Sequence, residues 1–282
     1  MKNLGIAVFV DLDSTITIDE DIYKVSNETI DALKQLQDNG FYVVIATGRN
    51  LEDTIKVWNQ IYKNEFCDYL INSNGALISK NENGSFIEVD SHSLSKKDYE
   101  TLIEYGKKNK YVIKTSLERT LFSDNFLFRS FAKLYDSSFN FKKYKDLIIE
   151  NDDNQKYNKV GYFFYKKSDS DKAYNLFLKD FNRNFEAITS AQGRFLEITN
   201  KGVSKGSAAI ILAEKLNIDL SRSYAFGDSL NDYSLFETVG YGIAMENSMP
   251  KLFEYAYDKT KSVEEDGVAF YVKNNILTKK YT

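Results

Sequence analysis

Short apolar segments that alternate with amphipathic segments most strongly constrain the fold of this chain. The apolar segment "GIAVFV" is followed by amphipathic "SNETIDALKQLQDNG", apolar "FYVVIA", amphipathic "LEDTIKVWNQIY" and then "DYLINSNGA". Apolar runs bounded by polar residues are typical of strands buried in a parallel sheet, and helical periodicity is typical of the crossovers between them. The order predicts a β-α-β-α-β arrangement with right-handed crossovers, its first helix capped by Ser26 or Asn27.

This alternation stops near residue 77 and resumes near residue 191. The segment "ALISKNENGSFIEV" predicts a hairpin around Asn83 and Gly84, and short strands and helices follow it. From "RFLEIT" onward, strands and helices alternate again. The sequence therefore predicts a doubly wound, Rossmann-like α/β core formed by residues 1–80 and 190–282, with an inserted α+β domain at residues 81–189.

Composition narrows the class of protein. The 282 residues carry a net charge of −4 and 43% are hydrophobic, which is typical of a globular chain without the general basic surface of nucleic-acid-binding proteins. The single cysteine, Cys67, excludes a disulfide framework and a cysteine-based zinc site. No apolar stretch approaches the roughly 20 residues of a membrane span, and Asp11 interrupts the first one too early for a signal peptide. We expect a cytoplasmic protein with no membrane or nucleic-acid partner, and the sequence indicates no oligomeric state.

Asp11 and Asp13 directly follow the first apolar segment. In open parallel sheets, ligands bind beyond the carboxyl ends of the strands. Two neighbouring carboxylates raise each other's pKa unless a cation compensates, and Mg²⁺ prefers oxygen ligands of this kind. The alternative is an exposed loop in which both aspartates merely begin a turn, and these two residues alone do not decide between the readings.

A second acidic segment, "AFGDSLND", covers residues 225–232. Asp228 could simply be a helix N-cap, with Asn231 and Asp232 in the first turn, where the helix dipole favours negative charge. That alternative does not explain why two predicted strand ends carry matching acidic loops. If the two ends lie side by side, they assemble three carboxylates around one divalent ion.

Two further segments suit a phosphate group. In "IATGRN", Thr47 offers a hydroxyl and Gly48 allows close approach of the backbone at a helix N-terminus, although an ordinary strand-to-helix turn is the alternative. In "NKGVSKGSAA", Lys205 follows the plausible N-cap Ser204, where a cation opposes the helix dipole and so indicates a function. Lys201 competes with it, and a solvated surface lysine is the alternative reading.

Together these segments supply carboxylates, a hydroxyl, amides and a lysine, which is what phosphoryl transfer requires. The segments "DLDST", "TGR", "SKG" and "GDSLND", in this order, resemble the four motifs of the haloacid dehalogenase-like hydrolases. The segment "NSNGA" and the insert are similar to the Cof-like phosphatase branch. Ser14 stands where the family most often has glycine.

The resemblance implies roles for the carboxylates. Asp11 would be the nucleophile that forms an aspartyl-phosphate, and Asp13 the general acid and then the general base. Asp11 and Asp228 would bind Mg²⁺ through their side chains and Asp13 through its backbone carbonyl. Asp232 would be a further carboxylate on the metal side, behind the direct ligands.

The resemblance also implies how a phosphate would be held. Thr47 and Gly48 would bind the transferring phosphate, with Lys205 bridging it to the nucleophile. Asn231 would contact the phosphate or orient the lysine. The expected function is a Mg²⁺-dependent phosphatase acting on small phosphorylated metabolites, with sugar phosphates first and phosphorylated cofactors second. A phosphomutase and a non-catalytic phosphometabolite-binding protein are the alternatives.

In such an architecture the insert would be a cap domain that excludes water and contacts the substrate. Its cations Arg119, Arg129 and Lys159 could contact a phosphorylated metabolite, but we expect them to be solvated, as most charges are. We also expect His92 to lie in a surface loop and Cys67 to be a small buried residue.

Overall fold

The computed structural model describes residues 3–18, 21–115, 120–126, 128, 140–149, 155–181, 184–190 and 193–281. Contacts divide the chain into two compact units, Met1–Ser91 with Val203–Thr282, and His92–Gly202. Arg119 and Arg129 lie outside the described residues.

The described strands and helices are numbered in chain order. The strands are β1 (Ala7–Val10), β2 (Thr17–Ile18), β3 (Asp21–Val25), β4 (Tyr42–Ala46), β5 (Tyr69–Asn72), β6 (Leu77–Glu82), β7 (Ser85–Ser91), β8 (Val112–Thr115), β9 (Thr120–Phe122), β10 (Asn140–Lys142), β11 (Val160–Phe163), β12 (Phe185–Ser190), β13 (Phe195–Asn200), β14 (Tyr224–Gly227), β15 (Tyr241–Ala244) and β16 (Asp258–Lys259). The helices are α1 (Asn27–Asp38), α2 (Leu51–Ile61), α3 (Lys96–Lys108), α4 (Lys167–Phe181), α5 (Lys205–Leu216), α6 (Tyr233–Thr238) and α7 (Gly267–Tyr271). No described helix has the length and apolarity that a membrane crossing requires.

The first unit is built on an eight-stranded sheet with the order β16-β15-β14-β1-β4-β5-β6-β7. Strands β16 to β5 of this order pair in parallel, whereas β6 and β7 pair antiparallel. Helices α1, α2 and α7 pack on one face and α5 and α6 on the other, so that each face has its own apolar core. The predicted α/β fold with a Rossmann-like core is confirmed. Ser26 caps α1, as its Oγ accepts from Thr29 N at 3.1 Å.

The sequence predicted an inserted domain at residues 81–189, whereas the second compact unit is His92–Gly202. The pairing partners of two strands explain this difference. The hairpin β6–β7 continues the large sheet because Ile78 pairs with Ile71 of β5. Strand β13, which contains "FLEIT" and was expected in the core, instead pairs antiparallel with β11 in the second unit through Ile198 and Val160. Both segments have the apolar content of core strands, and only their long-range partners decide the sheet to which they belong. The hairpin formed by β2 and β3 was not predicted.

The second unit has a six-stranded sheet, β10-β9-β8-β11-β13-β12, and its main core lies between this sheet and helices α3 and α4. The prediction that Lys159 is solvated is wrong. Lys159 lies next to β11 and forms a buried ion pair with Glu197 of β13, and each side chain is only 7% exposed. His92 is exposed in the loop after β7 and Cys67 is buried, as predicted.

Candidate active site

Two neighbouring parallel strands bring the two acidic segments together. Strands β1 and β14 pair in parallel, with Val10 opposite Phe226, so that the residues after both strands lie at the same edge of the sheet. Asp11 follows β1, and its backbone N donates to Phe226 O at 3.0 Å. Asp228 follows β14. Since helix α6 begins only at Tyr233, Asp228 is not its N-cap.

Three carboxylates and one lysine form a buried cluster at this edge. Carboxylate oxygens of Asp11, Asp228 and Asp232 all lie within 4.8 Å of one another. Lys205 Nζ lies 2.9 Å from Asp11 Oδ1 and 2.6 Å from Asp232 Oδ1, and the lysine is 0% exposed. The predicted N-cap Ser204 caps α5, which begins at Lys205, because its Oγ accepts from Ser207 N at 3.0 Å. Lys201, the competing candidate, is exposed.

Both carboxylate oxygens of Asp232 accept hydrogen bonds from within this edge of the sheet. Its Oδ1 accepts from Lys205, and its Oδ2 accepts from the backbone N of Asp228 and of Ser229, each at 3.1 Å. It therefore fixes the position of the lysine and the start of the loop that carries Asp228. Asp232 and Asn231 lie in a 3₁₀ turn, Leu230–Asp232, rather than in the first turn of the helix.

The cluster holds more negative than positive charge, since three carboxylates face one ammonium. Burial raises the pKa of Asp11 to about 7, against the opposing effect of Lys205, with Asp232 and Asp13 adding to the rise. Burial, followed by the carboxylates of Asp232 and Asp11, raises the pKa of Asp228 well above its ordinary value. Oxygen donors with uncompensated charge are the set that a hard divalent cation requires, so the residues fit Mg²⁺.

Asp13 lies outside this cluster of three carboxylates. Its side chain is 57% exposed and accepts from Arg49, with Nη2 at 2.6 Å from Oδ1 and Nε at 3.1 Å from Oδ2. The adjacent Ser14 has φ +55°, in the left-handed region that favours glycine, which gives a physical reason for the glycine common at this position in the family. The carbonyl of Ser14 accepts from Asn247 Nδ2 at 2.8 Å.

Thr47 and Gly48 lie in the loop between β4 and α2, at the same edge of the sheet. Thr47 is fully buried, and its Oγ1 accepts from Arg49 N at 3.2 Å. The carbonyl of Thr47 accepts from Asn74 N at 3.0 Å, and Asn74 Oδ1 accepts from Asn231 Nδ2 at 3.1 Å. Asn74 thereby links the predicted phosphate-binding loop to the second acidic segment.

The turn that carries Asn74 is strained and tightly packed. Ser73, Asn74 and Gly75 have φ values of +52°, +58° and +102°. A Cβ at Gly75 would lie 2.1 Å from the carbonyl oxygen of Ser204, so the turn packs against the start of α5. For non-glycine residues such as Ser73 and Asn74, conformations of this kind cost about 1–3 kcal/mol each and cluster at functional sites.

Asn74 and Arg49 lie in the segments "NSNGA" and "IATGRN", but neither residue has a role predicted from the sequence. Consecutive polar residues directly after a predicted strand were the available signal. Their partners, Asn231 and Asp13, lie on other segments and could not be read from spacing. Asn231 Oδ1 is buried and, within the described part of the chain, has no hydrogen-bond partner.

A family model described as haloacid dehalogenase-like hydrolase matches residues 8–272. Phosphatase YwpJ of Bacillus subtilis is 25% identical over 292 residues, covering 95% of this chain and 98% of that protein. The 5-amino-6-(5-phospho-D-ribitylamino)uracil phosphatase YcsE of the same organism is 27% identical over 271 residues, covering 96% and 95%. A solved haloacid dehalogenase-like hydrolase from B. subtilis superposes with a TM-score of 0.77 at 24% identity, covering 96% and 99%.

The match includes the segments that hold Asp11, Lys205 and Asp228, and it extends through both units. The predicted resemblance and the prediction of a phosphatase-type hydrolase are confirmed at the level of the family and its named relatives. The chain belongs to the haloacid dehalogenase-like hydrolases.

Proposed function

We propose that this chain is a Mg²⁺-dependent phosphatase that hydrolyses small phosphorylated metabolites through an aspartyl-phosphate at Asp11. The proposed substrates are sugar phosphates or phosphorylated cofactors. The name of the relative YcsE gives a phospho-D-ribityl compound, a phosphate ester on a polyol chain, and this supports the substrate class. The lone, buried Cys67 is compatible with the cytoplasmic location that we also propose.

The reaction would proceed in two displacements. In the first, a carboxylate oxygen of Asp11 attacks phosphorus, the bond from phosphorus to the leaving oxygen breaks, and the Asp13 carboxyl donates its proton to that oxygen. In the second, water attacks phosphorus and gives its proton to the Asp13 carboxylate. The bond between phosphorus and Asp11 then breaks, which releases phosphate and restores both aspartates.

The other residues of the edge would bind and orient the phosphate. Lys205 is held by Asp232 beside Asp11, where its ammonium can neutralise charge on the transferring group. Thr47, Gly48 and Asn231 are proposed to contact the phosphate oxygens. Thr47 is buried, and Asn231 is hydrogen-bonded to Asn74, so both groups have fixed positions. Fixed positions matter because catalysis of phosphoryl transfer depends mostly on positioning and on electrostatic stabilisation.

Asp11 and Asp228 would hold Mg²⁺ with the backbone carbonyl of Asp13, and Asp232 would stand behind them. A bound Mg²⁺ supplies charge neutralisation and orientation of the phosphate oxygens. The proposal depends most on one observation, the excess of buried carboxylates around Lys205, because it accounts for the need for a cation. Burial, with a smaller contribution from Asp232 and Asp13, raises the pKa of Asp11 to about 7.

The test is release of phosphate from 4-nitrophenyl phosphate by the purified chain. Turnover should require Mg²⁺, stop in EDTA and return when excess Mg²⁺ is added. After an acid quench, the peptide that contains Asp11 should carry one phosphoryl group. A panel of phosphorylated sugars, nucleotides and vitamins then ranks substrates by kcat/KM. Isomerised sugar phosphate without release of phosphate would indicate a phosphomutase instead.

A further inference from the structure

Arg49 joins the loop after β4 to the acidic loop after β1. Its side chain is only 9% exposed, and the guanidinium makes the two-pronged contact with the Asp13 carboxylate described above. Nη2 also donates to Thr17 Oγ1 at 3.1 Å and to the carbonyl of Ile22 at 2.7 Å. One side chain therefore fastens both the Asp13 carboxylate and the two strands of the β2–β3 hairpin.

This contact differs from an ordinary surface ion pair. An exposed pair contributes little to stability, and the Asp13 carboxylate is largely in water. The arginine is nevertheless buried, and its backbone is held on both sides: Arg49 N donates to Thr47 Oγ1, and its carbonyl accepts from Ser73 N at 2.8 Å. A planar guanidinium with several fixed acceptors sets the direction of a carboxylate more strictly than a lysine would.

We propose that Arg49 is a positioning residue that sets the carboxylate of Asp13 for proton transfer. This inference rests on the proposed function, because the proton-transfer role of Asp13 belongs to it. In the described part of the chain, the side-chain hydrogen bonds of Arg49 end on Asp13 and on the hairpin. These contacts act on Asp13 and the hairpin, whereas Nη1 of Arg49 is buried and, among the described residues, has no hydrogen-bond partner.

A double-mutant cycle on 4-nitrophenyl phosphate with Mg²⁺ tests the inference. Arg49→Gln should lower kcat about 10²-fold with little change in KM, because general acid-base catalysis contributes about 10²–10⁴-fold and depends on geometry. In the Asp13→Asn background, the same substitution should change kcat less than about threefold, since the group it positions is already gone. A merely structural role would lower the activity of both backgrounds by the same factor.

The leaving group provides a second readout. Phenol is a poorer leaving group than 4-nitrophenol and depends more on proton donation. Arg49→Gln should therefore slow phenyl phosphate more than 4-nitrophenyl phosphate, as Asp13→Asn should. Loss of folded enzyme would reduce both rates equally.

Two further variants control for folding. Arg49→Lys keeps the charge without the two-pronged contact, and its kcat should fall between the wild type and Arg49→Gln; it replaces Arg49→Gln in the cycle if that variant does not fold. Lys56→Gln removes the ion pair of α2 with Asp53, 3.0 Å long, and should leave both substrates unaffected. Thermal unfolding confirms that each variant is folded.

The possible outcomes distinguish a failure of the role proposed for Arg49 from a failure of the proposed phosphatase function. Additive losses in the cycle, equal losses on both substrates, or a kcat raised by Arg49→Gln would each overturn the role of Arg49 while the phosphatase stands. A wild-type chain without Mg²⁺-dependent hydrolysis would overturn the proposed function, and this inference with it.

Discussion

Each unit of the molecule buries a lysine against carboxylates, but the charge balance of the two sites differs. In the second unit, Lys159 pairs with Glu197, and this pair is neutral in itself. In the first unit, Lys205 faces both Asp11 and Asp232, and Asp228 lies within the same cluster. The first unit therefore buries more carboxyl groups than its one lysine can neutralise.

This difference separates a structural ion pair from the proposed active site. A neutral buried pair satisfies its own charges and needs no ligand. An unbalanced cluster is unfavourable until a cation arrives, and its raised carboxylate pKa values are typical of functional sites. Burial alone does not distinguish the two lysines, whereas the count of carboxylates that pair with each among the described residues does.

The largest expected effect is that of Asp11→Asn. The amide keeps the shape of the side chain but cannot act as the nucleophile, so phosphate release should fall about 10⁴–10⁶-fold, as it does when a nucleophile is removed from other enzymes. In EDTA the variant should be at least as resistant to heat as the wild type, because one unbalanced charge is gone. Asp38→Asn, an exposed aspartate that pairs with Lys63, is the matched control and should keep full activity. Turnover that survives in Asp11→Asn would contradict the covalent route.

In the ion pair of Lys159 with Glu197, the substitution Lys159→Met should lower the free energy of unfolding by about 3–5 kcal/mol, because it leaves Glu197 buried without this partner. The double variant Lys159→Met/Glu197→Leu should recover much of that loss, since no unpaired charge remains at the pair. Urea unfolding followed by fluorescence measures both. If the single and double variants are equally destabilised, the loss comes from packing and the pair does not act as a unit.

The third effect concerns the cation itself. Because a ligand that binds the folded state stabilises it, Mg²⁺ at 100 times its dissociation constant should add about 2.7 kcal/mol to the wild type and raise its Tm. Asp228→Asn should reduce that shift, and Asp38→Asn should keep it whole. Differential scanning calorimetry with and without EDTA measures the shift without any substrate. A full shift in Asp228→Asn would remove Asp228 from the cation site.

The parts of the fold and site that could be predicted are those that depend on the order of apolar and polar residues within one segment. The proximity of Asp11 and Asp228 could be predicted because each follows an apolar strand, and parallel strands end at a common edge. The sheet to which β13 belongs, the ion pair of Lys159 and the clamp of Arg49 on Asp13 were not found. Each depends on a partner distant in sequence, and periodicity within a segment carries no information about such a partner.

The smallest effect tests such a distant partner, the hydrogen bond from Asn231 to Asn74. Asn74 has φ +58°, which glycine adopts without strain and alanine adopts at a penalty of about 1 kcal/mol or more. Asn74→Gly therefore removes the hydrogen bond while keeping the backbone, and Asn74→Ala removes the hydrogen bond and adds strain. Both should lower kcat/KM by about 2–10-fold, the equivalent of one hydrogen bond of about 0.5–1.5 kcal/mol.

Only the alanine variant should lose the additional stability in urea unfolding. This pair of substitutions separates the position of Asn231 from the conformation of its support. Equal stability of the two variants would show that the turn relaxes without strain. Full activity in Asn74→Gly would show that Asn231 keeps its position without Asn74, because the loop of Asp228 and Asp232 is already fixed by its own backbone hydrogen bonds.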